Sequence, residues 1–400
     1  MHKTRKVCKI PISWREIDLP RMQFIEIMKI AEERKDIISL GPGEPDFTTP
    51  KHIREFAKKQ MDLGKTHYTQ LAGLLDVREA FAKKLKKDNK INVDPENQVI
   101  VTVGAKEAIL LSLMALMDPG DSAIVPNPGY VAYIPIIDTL NGKPHSLRLK
   151  PEDEWEYDLD RAKKLLTEKT TLMILNSPSN PTGTVFSKKK LEEIADFAID
   201  NCLIVLSDEA YEKFLYDGAK HISIGSLNGM ENHTVIIYSF SKTYAMAGFR
   251  IGYAAGPKDI IQAMVKLKLG TTLSTPTISQ LAAKHAVETT QKPVQEMLKE
   301  YTRRRKLMCR RLAEIGLDCG NPKGAFYMFP DIQKFGMSSV EFSKFLLEKA
   351  KVLVVPGTEF GKYGEGFVRM SYATSYEKIE EAMDRIEKAV KKLTPQKLKV

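Results

Sequence analysis

A lysine stands where an apolar run ends. Thr234-Val-Ile-Ile-Tyr238 leads into Ser239-Phe-Ser-Lys242-Thr, so Lys242 leaves a buried strand among small and hydroxyl side chains. An amine in that setting loses hydration, its pKa falls, and it becomes a nucleophile toward a carbonyl carbon. Ser239, Ser241 and Arg250 share its loop and carry the donors a phosphate needs. A second strand, Leu203–Leu206, ends in Ser207-Asp208-Glu-Ala-Tyr211. A carboxylate at a buried strand end is costly unless a cation or donor meets it. Asp208 therefore asks for a positive partner, either a protonated ring nitrogen or an arginine, and Tyr211 is close enough in sequence to reach the same place.

Three further loops carry unusual polar residues. Thr171–Leu175 runs into Asn176-Ser-Pro-Ser-Asn180-Pro-Thr-Gly183, which is either a rigid loop or one that offers the Asn180 amide to a ligand oxygen. Val103-Gly104-Ala105-Lys106-Glu107 takes a strand through a small-residue turn into a helix. Free backbone N–H groups at such a helix start suit a phosphate, although many turns of this kind only make a tight connection. Arg369, in Val368-Arg-Met-Ser371, lies inside an apolar strand, where it is either a structural ion pair or a fork for a substrate carboxylate.

The elements that must position these loops read as α/β. Apolar runs at 98–103, 122–125, 171–175, 203–206, 234–238 and 251–255 alternate with helical patterns at 106–117 and 188–199, the latter capped by Ser187. Short buried strands alternating with helices predict a mostly parallel sheet between helices, in which ligands gather at the carboxyl ends of the strands. An arm at 1–20, a helix at 21–34, a strand at 37–40 and a turn-rich loop at 41–46 precede it. A long amphipathic helix at 293–315 leads into strands at 325–329, 352–355 and 367–371 and a helix at 375–392. The expected division is a large domain at 46–292 and a smaller α/β domain built from 1–45 and 293–400.

Composition narrows the function. The 400 residues are 43% hydrophobic and 28% charged, a globular mixture. The net charge of +10 is spread along the chain, and its densest basic run, Arg303–Lys306 with Arg310 and Arg311, reads as a solvated or domain-bridging helix face. No nucleic-acid module accompanies it. The cysteines, Cys8, Cys202, Cys309 and Cys319, form no C-x-x-C and read as buried or incidental thiols, so no metal site is expected. No 18-residue apolar stretch or secretory leader is present, so a cytoplasmic protein without membrane partners is expected.

Taken together, these loops resemble the class I aminotransferases of the aspartate aminotransferase fold, fold type I of the pyridoxal-phosphate enzymes, from about Ile38 to the C-terminal helix. The resemblance implies pyridoxal 5'-phosphate as cofactor, held by Lys242 as a Schiff base. It implies that Asp208 keeps the pyridine nitrogen protonated, that Asn180 and Tyr211 hydrogen-bond the ring oxygen, and that Tyr130, in Asn127-Pro-Gly-Tyr, stacks on the ring. Gly104, Ala105 and Lys106 with Ser239, Ser241 and Arg250 would form the phosphate cup. Tyr68, in His67-Tyr-Thr, would reach the cofactor phosphate of a neighbouring subunit, which implies a homodimer with shared sites. Arg369 and the backbone of Gly43, in Gly43-Glu-Pro-Asp-Phe, would bind the substrate α-carboxylate, with the arm around Ile17 as a lid.

That set implies ping-pong transamination, in which Lys242 carries the proton. Aspartate or glutamate with 2-oxoglutarate is the expected substrate set, and an aromatic or broad-specificity aminotransferase is the alternative. Lys106 bears on this choice. A cation in the first helical turn opposes the helix dipole, so it either meets a distal carboxylate or is simply exposed. A lyase or racemase of the same fold, and a regulatory module that binds the cofactor without turnover, are the other readings. The latter would carry an appended DNA-binding domain, for which the chain has no spare residues.

Overall fold

A computed structural model describes residues 34–393. The expected arm, the helix at 21–34, Ile17 and Cys8 lie outside the described residues, apart from Arg34 at that helix's end. Twelve strands are present among the described residues: β1 (Ile38–Ser39), β2 (Val99–Thr102), β3 (Ser122–Asn127), β4 (Lys143–Arg148), β5 (Thr170–Asn176), β6 (Ile204–Asp208), β7 (Thr234–Ser239), β8 (Gly252–Ala255), β9 (Tyr327–Met328), β10 (Val352–Leu353), β11 (Val355–Pro356) and β12 (Val368–Ser371).

Seven of them form one sheet in the order β2-β8-β7-β6-β5-β3-β4. Five run parallel to one another, and β8 is antiparallel to both β2 and β7. The alternation of side chains decides how the sheet is buried. Leu172 and Ile174 of β5 pack with Leu206, Ile237 and helix 104–116 on one face. Met173 and Leu175 pack with Val205, Leu191 and Ile194 on the other. Both faces are covered, which is why these strands read as unbroken apolar runs. Each such side chain contributes roughly 1.5–3 kcal/mol on burial. Ser187 caps the helix Lys188–Asp200 by accepting from the Lys190 amide at 3.2 Å, as its sequence position predicts.

The edge strand β4 escapes a sequence reading. Lys143-Pro-His-Ser-Leu-Arg148 has only Leu147 buried, so no apolar run marks it. Outside the large sheet, β1 pairs in parallel with β10, and β9, β12 and β11 make a three-stranded antiparallel sheet. The helix Lys292–Ile315 connects the two regions, and its basic run is divided. Arg303 is exposed, whereas Arg304 is buried against Asp46 (2.8 Å) and Glu300 (2.9 Å), and Arg305 against Asp217 (2.8 Å) and the Pro322 carbonyl (2.7 Å). Two of these cations therefore bridge segments distant in sequence. Cys202 is exposed, and Cys309 and Cys319 are partly exposed, so of the two readings of the cysteines, buried or incidental, full burial does not hold for these three. Among the described residues, no helix is long and apolar enough to cross a membrane.

Beneath β6 and β7 lies a buried polar network. Glu212 pairs with Lys84 and accepts from Asn89 Nδ2 at 2.9 Å, while Lys84 lies 4.0 Å from the centre of the Tyr238 ring. Burial alone would raise the Glu212 carboxyl, but Lys84 and Lys213 outweigh it and hold it down at about 2. A carboxyl depressed in the folded state stabilises above its unfolded pKa, and that contribution is lost as the pH falls toward the folded value. Glu212→Gln leaves Lys84 buried and uncompensated, so it is expected to cost about 3 kcal/mol at neutral pH in urea unfolding. The gap to the parent protein should narrow as the pH drops below about 4.5. A gap independent of pH would contradict this assignment.

Candidate active site

The chemistry sits along one edge of the large sheet. Asn176, Asp208 and Ser239 end the adjacent parallel strands β5, β6 and β7, with Asn176 in register with Asp208. The reversed strand β8 begins at the same edge, because Gly252 pairs with both Ser239 and Thr102. Reversal brings Arg250, two residues before β8, to the place where β2 gives way to helix 104–116. Two glycines permit this crowding. A Cβ on Gly252 would lie 2.6 Å from the Tyr238 carbonyl and 2.9 Å from the Ala105 nitrogen. Gly104 has φ +76°, and a Cβ there would lie 2.7 Å from an Arg250 Nη atom.

These elements enclose a cavity of about 350 Å³. It is lined by Lys242, Asp208, Tyr211, Asn180, Tyr130, Ala105, Lys106, Ser239, Ser241, Arg250, Arg369 and Gly43, so most of the residues singled out from sequence converge. Gly104 flanks this wall through its contact with Arg250. Tyr68 is not among the lining residues and is 85% exposed.

Lys242 lies on the helical turn Phe240–Thr243, whose start is capped by Ser239 accepting from the Ser241 amide at 3.2 Å. Its Nζ donates to the Gly43 carbonyl. Burial pulls the amine down to about 8, with the nearby Arg369 and Arg250 charges adding to the drop and Glu44 and Asp208 opposing it. Gly43 was expected to offer its backbone N–H; the contact seen is through its carbonyl.

Asp208 is held from several sides. Tyr133 donates to Oδ2 at 2.8 Å, the Ala210 amide to Oδ1 at 3.2 Å, and Asn176 Nδ2 to the main-chain carbonyl at 2.9 Å. Burial raises the carboxyl above its ordinary value, against the two donors that favour the charge. Tyr130 meets Tyr133 edge-on at 5.4 Å, and burial pushes its hydroxyl up to about 12.

Arg369 is a buried cation with no carboxylate in ion-pair contact among the described residues. Nη2 donates to the Gly41 carbonyl at 2.6 Å and Nη1 to Asn180 Oδ1 at 3.0 Å, while Nε has no partner. The guanidinium lies 4.4 Å from the Tyr327 ring centre and 4.8 Å from that of Phe360. A cation desolvated in this way, with one donor unused, favours an anionic ligand. With its oxygen engaged by Arg369, Asn180 can offer its Nδ2 to a ligand oxygen.

Several residues here were not singled out from sequence. Tyr327 shares a 2.7 Å hydrogen bond with the Tyr211 hydroxyl. Tyr133 fixes Asp208, and Asn176 accepts from the Asn180 amide at 2.8 Å. Behind the turn at Gly104, Glu107 accepts from the Val103 amide and pairs at 3.5 Å with the fully buried Lys268, which also donates to Thr275 Oγ1 at 2.7 Å. Asn176 sits in a quoted loop and could have been found there. Tyr327, Tyr133 and Lys268 carry no local signal, because their roles arise only from tertiary contact.

The comparisons with known proteins agree in kind. The family described as aminotransferase class I and II matches residues 35–386. The chain is 52% identical over 373 residues to an aspartate aminotransferase of Pyrococcus abyssi, covering 92% of this chain and 96% of that one. It is 47% identical over 368 residues to aromatic-amino-acid aminotransferase 2 of Thermococcus litoralis, covering 92% and 95%. A solved Thermus thermophilus aspartate aminotransferase with maleate superposes with TM-score 0.91 at 36% identity, covering 95% of this chain and all of that one.

The Lys242 environment generates a test that needs no substrate. In the ligand-free protein, reaction of Lys242 with an amine-directed reagent, followed by peptide mass mapping across pH, should be half-maximal near pH 8. An ordinary lysine gives about 10.4. Arg250→Gln removes a cation that disfavours the charged amine, so its midpoint should move up. A Lys242 that reacts like an ordinary lysine would sink the assignment.

Proposed function

This chain belongs to the class I and II aminotransferase family and is a transaminase, and from that premise we propose that it transfers the amino group of aspartate or glutamate to 2-oxoglutarate with pyridoxal 5'-phosphate. The observation that carries the cofactor reading is the donor set around one cavity: an amine with lowered pKa, a buried carboxylate, and serine, arginine and helix-start donors together. In this reading Lys242 would hold the cofactor through its aldehyde, Asp208 would serve its ring nitrogen, Asn180 and Tyr211 its ring oxygen, and Tyr130 its ring face. Ser239, Ser241, Arg250 and the turn Gly104–Lys106 surround its phosphate. Bound there, the cofactor supplies an electron sink next to the substrate Cα.

The protein's own part is binding, orientation and proton movement. Arg369 grips the α-carboxylate and fixes the direction of the Cα–H bond, a task its Asn180 and Gly41 contacts prepare by holding the guanidinium still. Lys242 takes the Cα proton. A pKa near 8 makes its neutral fraction at pH 7 roughly 10²-fold larger than an ordinary lysine's. Tyr327, Phe360 and Val131 wall the cavity and limit water.

The acidic substrate is supported by the Lys106 side chain, a cation on the cavity wall in addition to Arg250 and Arg369; the turn that carries Lys106 would offer the phosphate its backbone N–H groups. The apolar part of the wall, Val131, Val355 and Phe360, favours an aromatic side chain and keeps that reading second. We further propose a cytoplasmic homodimer in which Tyr68 reaches the partner's site. Its support is that the exposed large hydrophobic side chains of the described residues, Met61, Leu63, Tyr68, Leu269 and Leu273, fall in two segments tied by the Thr277–His67 hydrogen bond. The division into 46–292 and 1–45 with 293–400 belongs to the same proposal, supported by the separate small sheets outside that range.

A screen of single amino acids by cofactor absorbance tests this reading. Aspartate and glutamate should convert the cofactor to its aminated form stoichiometrically, and Lys106→Ala should slow them roughly 10-fold or more relative to tyrosine and phenylalanine. Equal losses for both classes would remove Lys106 from specificity. Regenerated starting spectrum with release of ammonia or a D-isomer would mean a different reaction. Lys242→Ala should lower turnover by on the order of 10³-fold or more. Arg369→Lys should lower kcat/KM by roughly 10- to 100-fold through loss of the two-pronged grip.

A further inference from the structure

Three sulfur atoms meet at the end of the helix Lys292–Ile315, outside the cavity described above. The helix stops at Gly316 (φ +78°), where the Gly316 and Leu317 amides return to the Ala313 and Leu312 carbonyls at 2.9 and 2.8 Å. That turn folds the chain back on itself and brings Cys319 and Cys309 onto the same methionine sulfur. Cys309 Sγ lies 3.7 Å from Met328 Sδ, Cys319 Sγ lies 3.8 Å from the same atom, and the Cys319 thiol also reaches the Gly320 carbonyl at 3.6 Å.

Both thiols are partly exposed. Cys319 also lines a second cavity, of about 470 Å³, that Trp155 and Asn321 help to wall, so the cluster opens toward solvent on the Cys319 side. Its neighbour Cys319 holds the Cys309 thiol below its ordinary value, with the Arg305 charge adding to it, and Cys319 is raised in return. An accessible, readily ionised thiol beside a second one is the arrangement of a nucleophilic and a resolving cysteine.

We propose that Cys309 and Cys319 are a reversible thiol–disulfide pair, oxidised in the folded protein by a small-molecule disulfide, that cross-links the end of the long helix to the segment 317–324. In the first step the Cys309 thiolate attacks one sulfur of the reagent. A mixed disulfide forms, the reagent's S–S bond breaks, and one thiolate leaves. The Cys319 sulfur then attacks the Cys309 sulfur of the mixed disulfide, giving its proton to solvent, and the second reagent thiolate leaves. The protein loses two electrons and two protons, and one reagent disulfide becomes two thiols.

The cross-link falls where it can matter for rigidity. Segment 317–324 is already fixed to the helix by Arg305 at the Pro322 carbonyl, and its Gly324 amide donates at 2.8 Å to the Gly183 carbonyl, at the end of the loop that carries Asn180. The sulfurs themselves do not line the active cavity. Closing a short loop therefore raises stability without occupying the site.

The test uses the full chain with Cys8→Ser and Cys202→Ser, treated with oxidised glutathione under native conditions. Peptide mapping should show the peptides of Cys309 and Cys319 joined with loss of two hydrogens. The melting temperature should rise by about 3 °C, and dithiothreitol should reverse both changes. Adding Cys319→Ser should leave a stable glutathione adduct on Cys309. The same mapping on the chain with all its native cysteines, which needs no variant to fold, should show the same linked pair. No reaction in the folded protein, a persistent adduct with both thiols present, or cross-linking only in urea would overturn the proposal.

Discussion

The site depends on a charge that the described fold leaves without a counterion. Arg369 is buried among Tyr327, Phe360 and two uncharged acceptors, the Gly41 carbonyl and the Asn180 side-chain oxygen. Lys242 and Arg250 add further positive charge to the same cavity, and the Lys242 amine is depressed chiefly by burial, with the Arg369 and Arg250 charges adding to it. Removing a cation from water without a counterion costs several kcal/mol, so such an arrangement persists only where the surrounding structure over-determines it. In the proposed reading, phosphate and substrate carboxylate complete the balance. The affinity for anions is then a property of the empty architecture, not something the ligand has to induce.

That over-determination comes from the sheet edge. The carboxyl ends of three parallel strands deliver Asn176, Asp208 and Ser239 in a row, and one reversed strand delivers Arg250 to the same line. Neither Gly104 nor Gly252 can be replaced without pushing backbone or guanidinium aside. The far wall, Arg369 and Tyr327, comes from the small antiparallel sheet. The buried Arg304 and Arg305 pairs tie the connecting helix to Asp46 and Asp217, and Arg305 also donates to the Pro322 carbonyl, so the helix is held to segments on both sides of it. A bidentate grip on a carboxylate needs that precision, because misplacement by an ångström costs orders of magnitude in rate.

Much of this was legible in the sequence, for a physical reason. Strands buried on both faces appear as apolar runs, and the polar residues that break those runs at their ends stand out because burial penalises them. Lys242, Asp208, Asn180 and Arg369 were found in this way. The edge strand β4 was missed because half-exposed residues leave no periodic trace. Tyr133 and Tyr327 were missed because an aromatic in an apolar stretch looks like core until its hydroxyl is seen at Asp208 or Tyr211. Tyr68 is exposed in its own chain, so its expected role rests on a partner subunit. The basic run at 303–306 was read as one face, yet its members divide between solvent and buried pairs, because helical spacing turns adjacent residues in different directions.

The most direct measurement of the central claim is where the cofactor bonds. The protein would be saturated with pyridoxal 5'-phosphate, reduced with borohydride and digested, and the labelled peptide sequenced by mass spectrometry. The account predicts one label per chain, on Lys242, with occupancy reduced by Arg250→Gln. Labels scattered over surface lysines with Lys242 unmodified would contradict it.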